Sequence, residues 1–333
     1  MASITKAWFL EDALLQQQFE VSEHGDSLFK RIGQSIFHPT PSSSSSSSSF
    51  PSARGALKKD LYAARRLAPL DESIQIDVTT FEGYDAYRKI HETYESIGLY
   101  PMPMQLKVRD AVYKRILGHI YKKDWANYRD VIERFHQSVG IEMAYFAVAP
   151  RRMGKTMCTA ATMASIVCVL ARFRILVTSI GMRASQALRE SFVNCLRAIL
   201  GEDYKQYVLV DNQERMEISL SKGARPDNSV ITFLPSSSTG GRGQDADLLV
   251  VDEFAFANPS FIKQTIVPIA SADKTALIGI TTPPTHAGYM LTLLSSKDEF
   301  GKPIFPVEHF SPVCAPCAKK GMVECPCVQD ITA

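Results

Sequence analysis

The sequence has little net charge and lacks the marks of a secreted chain. Its 333 residues include 37 Lys and Arg against 35 Asp and Glu, so the formal charge is only +2. No strong positive field therefore draws the whole chain onto nucleic acid or anionic lipid, and any contact with DNA must be local. Residues 1–20 contain Glu11 and Asp12 inside an apolar patch and have no small-residue cleavage site, unlike a secretory signal. The uncharged apolar stretch 156–171 spans 16 residues, short of the about 20 that cross a bilayer, and predicts a buried helix.

Composition divides the chain into five segments. Eight serines at 42–49 lie in a Pro/Gly/Ser-rich stretch that cannot bury a core and predicts a disordered linker. A short arm precedes the linker, and a mainly helical region with mixed charges follows it. The predicted bounds are 1–40 for the N-terminal arm, 41–55 for the Ser-rich linker, 56–140 for the helical N-terminal or lid region, 141–300 for the core and 301–333 for a Cys-rich C-terminal segment.

After Gly140, short apolar runs alternate with amphipathic segments, which is the texture of βαβ units. Strands are predicted at 144–149, 174–180, 229–235, 247–252 and 275–282, and helices at 155–172 and 183–200. Because such units place their strands side by side in one direction, the predicted fold class is α/β with a mostly parallel central sheet.

The first predicted strand leads into the sequence A-P-R-R-M-G-K-T at 149–156, which has the form of a phosphate-binding Walker A loop with Ala149 in place of the first glycine. Backbone N–H groups of such a loop, together with the positive end of the following helix, hold the β- and γ-phosphates. Gly154 lets the backbone approach closely, and Lys155 supplies a mobile ammonium. Thr156 would place its hydroxyl on Mg²⁺.

An acidic pair, Asp252 and Glu253, follows four apolar residues and lies 97 residues beyond Lys155. This is the pattern of a Walker B strand, in which Asp252 holds the metal and Glu253 orients and deprotonates the attacking water. A strand ending in two threonines comes next. This order predicts a P-loop NTPase of the ASCE, RecA-like type, with an additional strand between the two Walker strands, whereas the alternative is a strand that merely ends in two solvated acids. Without an N-K-x-D motif, ATP is favoured over GTP.

These motifs together resemble the ATPase region of the large terminase subunit of herpesviruses and, more distantly, of tailed phages. The resemblance is carried by A-P-R-R-M-G-K-T at 149–156, R-G-Q-D at 242–245, the acidic pair and A-L-I-G-I-T-T-P-P at 276–284, and it covers about residues 100–330. It implies the ATP-hydrolysing motor subunit of a viral terminase, which translocates double-stranded DNA into a preformed capsid.

The resemblance also implies roles for individual residues. Thr281 and Thr282 would sense the γ-phosphate and pass its loss to a moving subdomain. Gln105 resembles the upstream glutamine that reads adenine. Arg151 or Arg152, which the sequence does not rank, resembles the basic residue that touches the γ-phosphate in cis.

Four cysteines lie within 14 residues near the C-terminus. The pairs Cys314-x2-Cys317 and Cys325-x-Cys327 are similar to the C-x2-H…C-x-C segment of herpesvirus terminases, with Cys317 in place of His. Four sulfurs could close a tetrahedral Zn²⁺ site, although C-x-C is tighter than the usual C-x2-C spacing. Reduced packing cysteines are the alternative.

The implied partners are double-stranded viral DNA, the portal protein and other terminase subunits, with a homo-oligomeric ring and no membrane. In a ring, Arg242 could contact phosphate from a neighbouring subunit, whereas the alternative is that it only shapes its Gly-rich loop. Analogy with herpesviruses places the protein in the host nucleus, and the nuclease domain of large terminases is expected to be absent from this chain, which ends at Ala333. The candidate DNA-facing residues, for which a solvated helix face is the alternative, are Lys107, Arg109, Lys114, Arg115, Lys122 and Lys123.

Two other functions compete with the motor. A superfamily 2 helicase would use the same nucleotide chemistry, but it needs a second RecA-like domain, and only 51 residues separate Thr282 from Ala333. A non-hydrolysing terminase scaffold would bind nucleotide or terminase partners without turnover.

Overall fold

The computed structural model describes residues 76–220, 227–236, 244–270, 275–283 and 306–311, and the single residues 295, 297, 317 and 320. The predicted arm at 1–40, the linker at 41–55 and most of the Cys-rich segment lie outside these residues, and so does Arg242. The bounds proposed for those segments stay predictions.

In the described part before the sheet, the chain is helical, in line with its mixed and amphipathic pattern. The α-helices are α1 (Glu82–Ser96), α2 (Pro103–Arg115) and α3 (Leu117–Phe135). Ile90 of α1, Tyr113 of α2 and Ile132 of α3 are fully buried in one hydrophobic cluster with the sheet. The helical region therefore covers one face of the sheet.

Two basic residues of α2 are internal and do not face solvent. Arg109 lies over the ring of Tyr94, with its guanidinium carbon 5.0 Å from the ring centroid, and Arg115 lies over Tyr145 at 4.9 Å. Both residues are less than a tenth exposed. Stacking on aromatic faces satisfies a guanidinium inside a protein. The prediction from the sequence that these two arginines lie on a DNA-facing surface is therefore wrong.

Within the described residues, eight strands form one sheet in the order β3-β4-β5-β2-β6-β7-β1-β8. The strands are β1 (Ala144–Val148), β2 (Arg174–Ser179), β3 (Val208–Asp211), β4 (Arg215–Ile218), β5 (Ser229–Pro235), β6 (Leu248–Asp252), β7 (Ala276–Thr281) and β8 (Val307–His309). The pairings of β4 with β3 and with β5 are antiparallel and the other five are parallel, so the predicted α/β class with a mostly parallel sheet is confirmed.

Helices lie on both faces of this sheet. The helices between the strands are α4 (Lys155–Val167), α5 (Met182–Leu200) and α6 (Tyr204–Tyr207), followed by a helical segment at 259–270 whose middle turn is π-helical. Successive side chains of a strand point to opposite faces. Accordingly Val250 packs into the cluster with α4 and α5, while Leu249 and Val251 pack against the 259–270 segment.

The five strands expected from apolar runs agree with the structure to within one residue at each end. The antiparallel hairpin of β3 and β4 and the edge strand β8 were not predicted. Strand β8 lies within the segment assigned to the Cys-rich C-terminus, and it pairs parallel with β1. No helix in the described ranges is long and apolar enough to cross a membrane.

Candidate nucleotide-binding site

The predicted motifs meet at one edge of the sheet. Strand β7 lies between β1 and β6, so the three strands end side by side. Just past β1, the amide N–H of Ala149 donates to the carbonyl of Thr281 at the end of β7, over 3.0 Å. The loop that follows β1 (149–154, the β1–α4 loop) therefore begins beside the end of β7 and one strand away from the acidic pair on β6.

The β1–α4 loop is a tight turn that ends in left-handed backbone. Arg152 has φ of 66° and Gly154 has φ of 67°, and α4 begins at Lys155. The Lys155 ammonium folds back and donates to the carbonyl oxygens of Ala149 and Pro150, at 3.0 and 2.9 Å. Burial lowers the pKa of this lysine, and the repulsion of Arg151 adds to that, while the acidic pair opposes it. The loop thus surrounds one buried cation at a helix N-terminus, which is suited to anion binding.

Gln105, near the start of α2, lies against the same loop. Its side-chain amide donates to the carbonyl oxygens of Gly154 at 3.2 Å and Met153 at 3.4 Å. Its amide oxygen accepts from the Met102 N–H at 2.8 Å. A Cβ at position 154 would lie 2.2 Å from the Gln105 amide nitrogen and would displace that side chain, and the φ of 67° in itself favours glycine there.

The acidic pair at the end of β6 interacts electrostatically with Lys155. Burial, together with the charge of the neighbouring Glu253, raises the pKa of Asp252 to about 6, although the Lys155 charge acts to lower it. The lysine in turn is stabilised in its charged form by both carboxylates. The ammonium and the two acids therefore interact across the end of β7, which lies between the strands that lead to them.

The Glu253 carboxylate is held by the two threonines at the end of β7. One oxygen accepts from the Thr282 N–H and the Thr282 hydroxyl, each at 2.8 Å, and from the Thr281 hydroxyl at 3.3 Å. Glu253 itself has φ of 52°, a left-handed conformation that costs a non-glycine residue free energy and recurs at functional sites. No local sequence pattern indicated this direct contact between the acid and the threonines.

The remaining predicted residues lie around the same edge. Arg151 and Arg152 are exposed on the β1–α4 loop, and Thr156 is half-buried in the first turn of α4. The Thr156 hydroxyl and the Asp252 carboxylate are oxygen donors of the kind that Mg²⁺ takes, usually together with substrate phosphates. Among the described residues, no group of three or more His, Cys, Asp or Glu side chains gathers into a metal cluster.

The predicted zinc ligands cannot be placed together from the described residues. Cys317 is described and buried, whereas Cys314, Cys325 and Cys327 lie outside the described ranges. The zinc site stays a prediction of the sequence.

The chain is similar in sequence to a known protein family. Residues 146–300 match the family described as terminase large subunit, T4-like virus type, N-terminal. This match supports the predicted resemblance to large terminase subunits over that part of the chain. No curated protein matches the chain.

Several solved structures are also similar to the chain. The ATPase domain of the large terminase of Thermus phage P74-26 matches at 12% identity and a TM-score of 0.48, over 66% of this chain and 84% of that domain. The large terminase of another thermophilic bacteriophage matches at 14% identity and 0.41, over 67% of this chain and 50% of that one. The HK97 bacteriophage large terminase matches at 14% identity and 0.44, over 57% and 40% respectively. The second of these three proteins has also been solved with ADP and with ATP-γ-S. The matched region thus spans half or less of the last two large terminases.

Proposed function

We propose that this chain is the ATPase of a viral DNA-packaging motor, which hydrolyses ATP to translocate double-stranded DNA into a preformed capsid. The observation that carries the proposal is the meeting of Lys155 with Asp252 and Glu253 at one sheet edge, with the threonines of β7 between them. The family match over 146–300 supports the assignment to packaging.

The β1–α4 loop and Lys155 are proposed to bind the phosphates of ATP. The ammonium now bonds loop carbonyls at 3.0 and 2.9 Å, and it would exchange these neutral acceptors for phosphate oxygens, which are stronger, charge-assisted partners. This loop begins at Ala149 and ends at Gly154. Either Arg151 or Arg152 would add a further positive charge beside the γ-phosphate.

Gln105 is proposed to contact the adenine end of the nucleotide. In the structure its amide bonds the loop carbonyls of Met153 and Gly154. The same side chain is therefore placed next to any nucleotide that occupies the loop. This position supports the adenine-reading role that the sequence resemblance implies.

Thr156 and Asp252 are proposed to hold Mg²⁺, which would neutralise phosphate charge when bound. Asp252 carries its charge above about pH 6, so at neutral pH it presents the anionic oxygen that the ion requires. Glu253 would orient the attacking water and accept its proton. Thr281 and Thr282 donate hydrogen bonds to the Glu253 carboxylate. Through these bonds, a change at Glu253 on nucleotide hydrolysis would reach the end of β7.

The wider setting follows from the terminase resemblance. We propose that the chain acts in a homo-oligomeric ring with other terminase subunits, the portal protein and viral DNA. The herpesvirus branch, and with it the host nucleus, is proposed from the motifs at 149–156 and 242–245 and from the cysteine spacing. A bound Zn²⁺ on those cysteines is part of the same proposal.

The test is DNA-dependent ATP hydrolysis by the wild type, Glu253→Gln and the exposed control Glu190→Gln. We expect Glu253→Gln to lower the single-turnover rate by about 100-fold or more, because it removes the general base, while ATP binding is retained. Glu190 lies on the exposed face of α5, so its variant should match the wild type. Equal and negligible rates in all three proteins, despite ATP binding, would favour the non-hydrolysing scaffold instead.

A further inference from the structure

We propose that Glu308 of β8 is a positioning residue for the nucleotide loop, acting through Lys107 and helix α2. This inference rests on the proposed ATPase function. It concerns a strand that lies outside the predicted core and a side chain that contacts neither the β1–α4 loop nor the acidic pair in the structure.

Both oxygens of the Glu308 carboxylate are engaged. One lies 2.8 Å from the Lys107 ammonium of α2, and the other accepts from the Tyr145 hydroxyl of β1 at 2.7 Å. The Lys107 ammonium also lies 5.8 Å from the ring centroid of Phe310, just past β8. Side chains from three elements thus meet at one carboxylate, and we call Lys107, Tyr145 and Glu308 the β8 bridge.

The β8 bridge matters because the two elements it joins are not closely packed around it. Its three residues line an open cavity of about 560 Å³ between α2 and β8. With a cavity beside them, the ion pair and the tyrosine hydrogen bond join the exposed side of α2 to β8, while Met104 and Val108 hold the other side of the helix in the core. Loss of the bridge would therefore let the exposed side of α2 shift slightly relative to the sheet.

Movement of α2 would reach the nucleotide loop directly. Gln105 is two residues before Lys107, and its side chain bonds the carbonyls of Met153 and Gly154. Its main-chain carbonyl accepts from the Cys158 thiol of α4 at 3.1 Å. The start of α2 is thus fixed at the loop and α4 on one side and at β8 on the other, and a helix transmits a shift over two residues with little loss.

Backbone pairing shows that the bridge can be broken without releasing β8. The Phe146 N–H donates to the Pro306 carbonyl at 3.0 Å, and the Phe310 N–H donates to the Val148 carbonyl at 2.8 Å. These bonds do not depend on the Glu308 side chain. The bridge itself is partly exposed, with Lys107 at 63% and Glu308 at 35%, so the expected effect is modest.

The experiment measures ATP affinity and turnover in Glu308→Gln, Tyr145→Phe and the charge-reversed pair Lys107→Glu with Glu308→Lys. We expect Glu308→Gln to raise KM and Kd for ATP by about twofold to fivefold, the size that a partly exposed ion pair allows, with kcat nearly unchanged. Tyr145→Phe should shift KM in the same direction, and the charge-reversed pair should recover most of the loss.

Glu92→Gln is the matched control, because it breaks an exposed ion pair of the same 2.8 Å length, between Arg88 and Glu92 on α1. It should leave KM unchanged. Wild-type KM in both Glu308→Gln and Tyr145→Phe, or an equal rise in Glu92→Gln, would overturn the positioning role while leaving the ATPase intact. A wild type that binds no ATP would instead remove the proposed function, and this inference with it.

Discussion

At the residue scale, the central feature is a glutamate whose position depends on its neighbours. Glu253 is held in left-handed backbone at the end of β6, and three donors from Thr281 and Thr282 converge on one of its carboxylate oxygens. Hydrogen bonds to an ionised acceptor are among the stronger ones in proteins. They offset the backbone strain and fix the direction of the carboxylate.

Removal of one of these donors should lower turnover without loss of binding. Thr282→Val deletes the hydroxyl that lies 2.8 Å from Glu253 but keeps the side-chain shape and the backbone donor. We expect kcat to fall by about tenfold, corresponding to roughly 1.4 kcal/mol of lost positioning, while Kd for ATP stays within about twofold.

Thr178→Val is the matched control for this prediction. The Thr178 side chain is fully buried on β2, and its hydroxyl has no hydrogen-bond partner among the described residues. Its replacement removes no bond, so activity should equal that of the wild type. Unchanged kcat in Thr282→Val would show that the hydroxyl does not position Glu253.

Asp252 should make the folded protein less stable as the pH rises. Its folded-state pKa of about 6 lies above the ordinary value of 3.8, so the folded state binds the proton more tightly than the unfolded state. Stability from this difference is complete below pH 4 and is lost as the pH rises through 6.

The variant Asp252→Asn, which has no proton to lose, should therefore gain stability relative to the wild type across that range. Denaturant unfolding should show the variant more stable by about 1–3 kcal/mol at pH 7.5, with no such gain near pH 4. A variant less stable than the wild type at pH 7.5 would contradict the assignment of the raised pKa to burial. Such a gain in stability, with loss of the proposed metal ligand, is the usual trade between a site and its scaffold.

At the element scale, strand β7 lies between the two strands that lead to the site. It can pack closely there because Gly279, which has no side chain, lies against the rings of Phe146 and Phe254. Gly279 pairs with Phe146 of β1 in register, and a Cβ there would lie 2.2 Å from the Phe146 ring and 3.3 Å from Phe254. The two rings pack with their centroids 4.5 Å apart. These rings hold β7, which ends at Thr281, against β6, which ends at Asp252.

Gly279→Ala should consequently destabilise the fold. Overpacking of a buried site costs about 1–3 kcal/mol, which exceeds the gain of about 0.4–1 kcal/mol that glycine-to-alanine changes give through the unfolded chain. Gly181→Ala is the control, because nothing lies within 4 Å of a Cβ there and its backbone is extended. Thermal unfolding of the two variants should differ by several degrees, and equal melting temperatures would contradict the close packing of β7.

The elements that the sequence predicted are those with a strong local pattern. Apolar runs located β1, β2, β6 and β7 because these strands are buried on both faces, and β5 because it is buried at most of its positions. The hairpin of β3 and β4 and the strand β8 are three or four residues long and partly exposed, so they carry no such run. The loop at 149–154 and the acidic pair were also local patterns. The contacts of Thr282 with Glu253 and of Gln105 with Gly154 join residues 29 and 49 positions apart, and no local pattern encodes them.

At the scale of the whole molecule, the sheet edge brings one buried cation and two carboxylates from segments about 100 residues apart into a single site. Burial, and after it the charge of Glu253, makes the ionised form of Asp252 costly, as its raised pKa shows, and Lys155 offsets only part of this cost. A bound triphosphate would bring negative charge to Lys155, and its magnesium ion would bring positive charge to the carboxylates. A ligand that binds only the folded state would then stabilise the whole domain, by an amount that rises with the logarithm of its concentration.

The most direct measurement is calorimetric titration of the protein with ATP-γ-S and Mg²⁺, for the wild type, Lys155→Ala and the exposed control Lys205→Ala. We expect one nucleotide per chain for the wild type and for Lys205→Ala, and for Lys155→Ala an affinity weaker by on the order of 100-fold with the fold intact by circular dichroism. Wild-type affinity in Lys155→Ala would instead show that the nucleotide binds somewhere other than the β1–α4 loop.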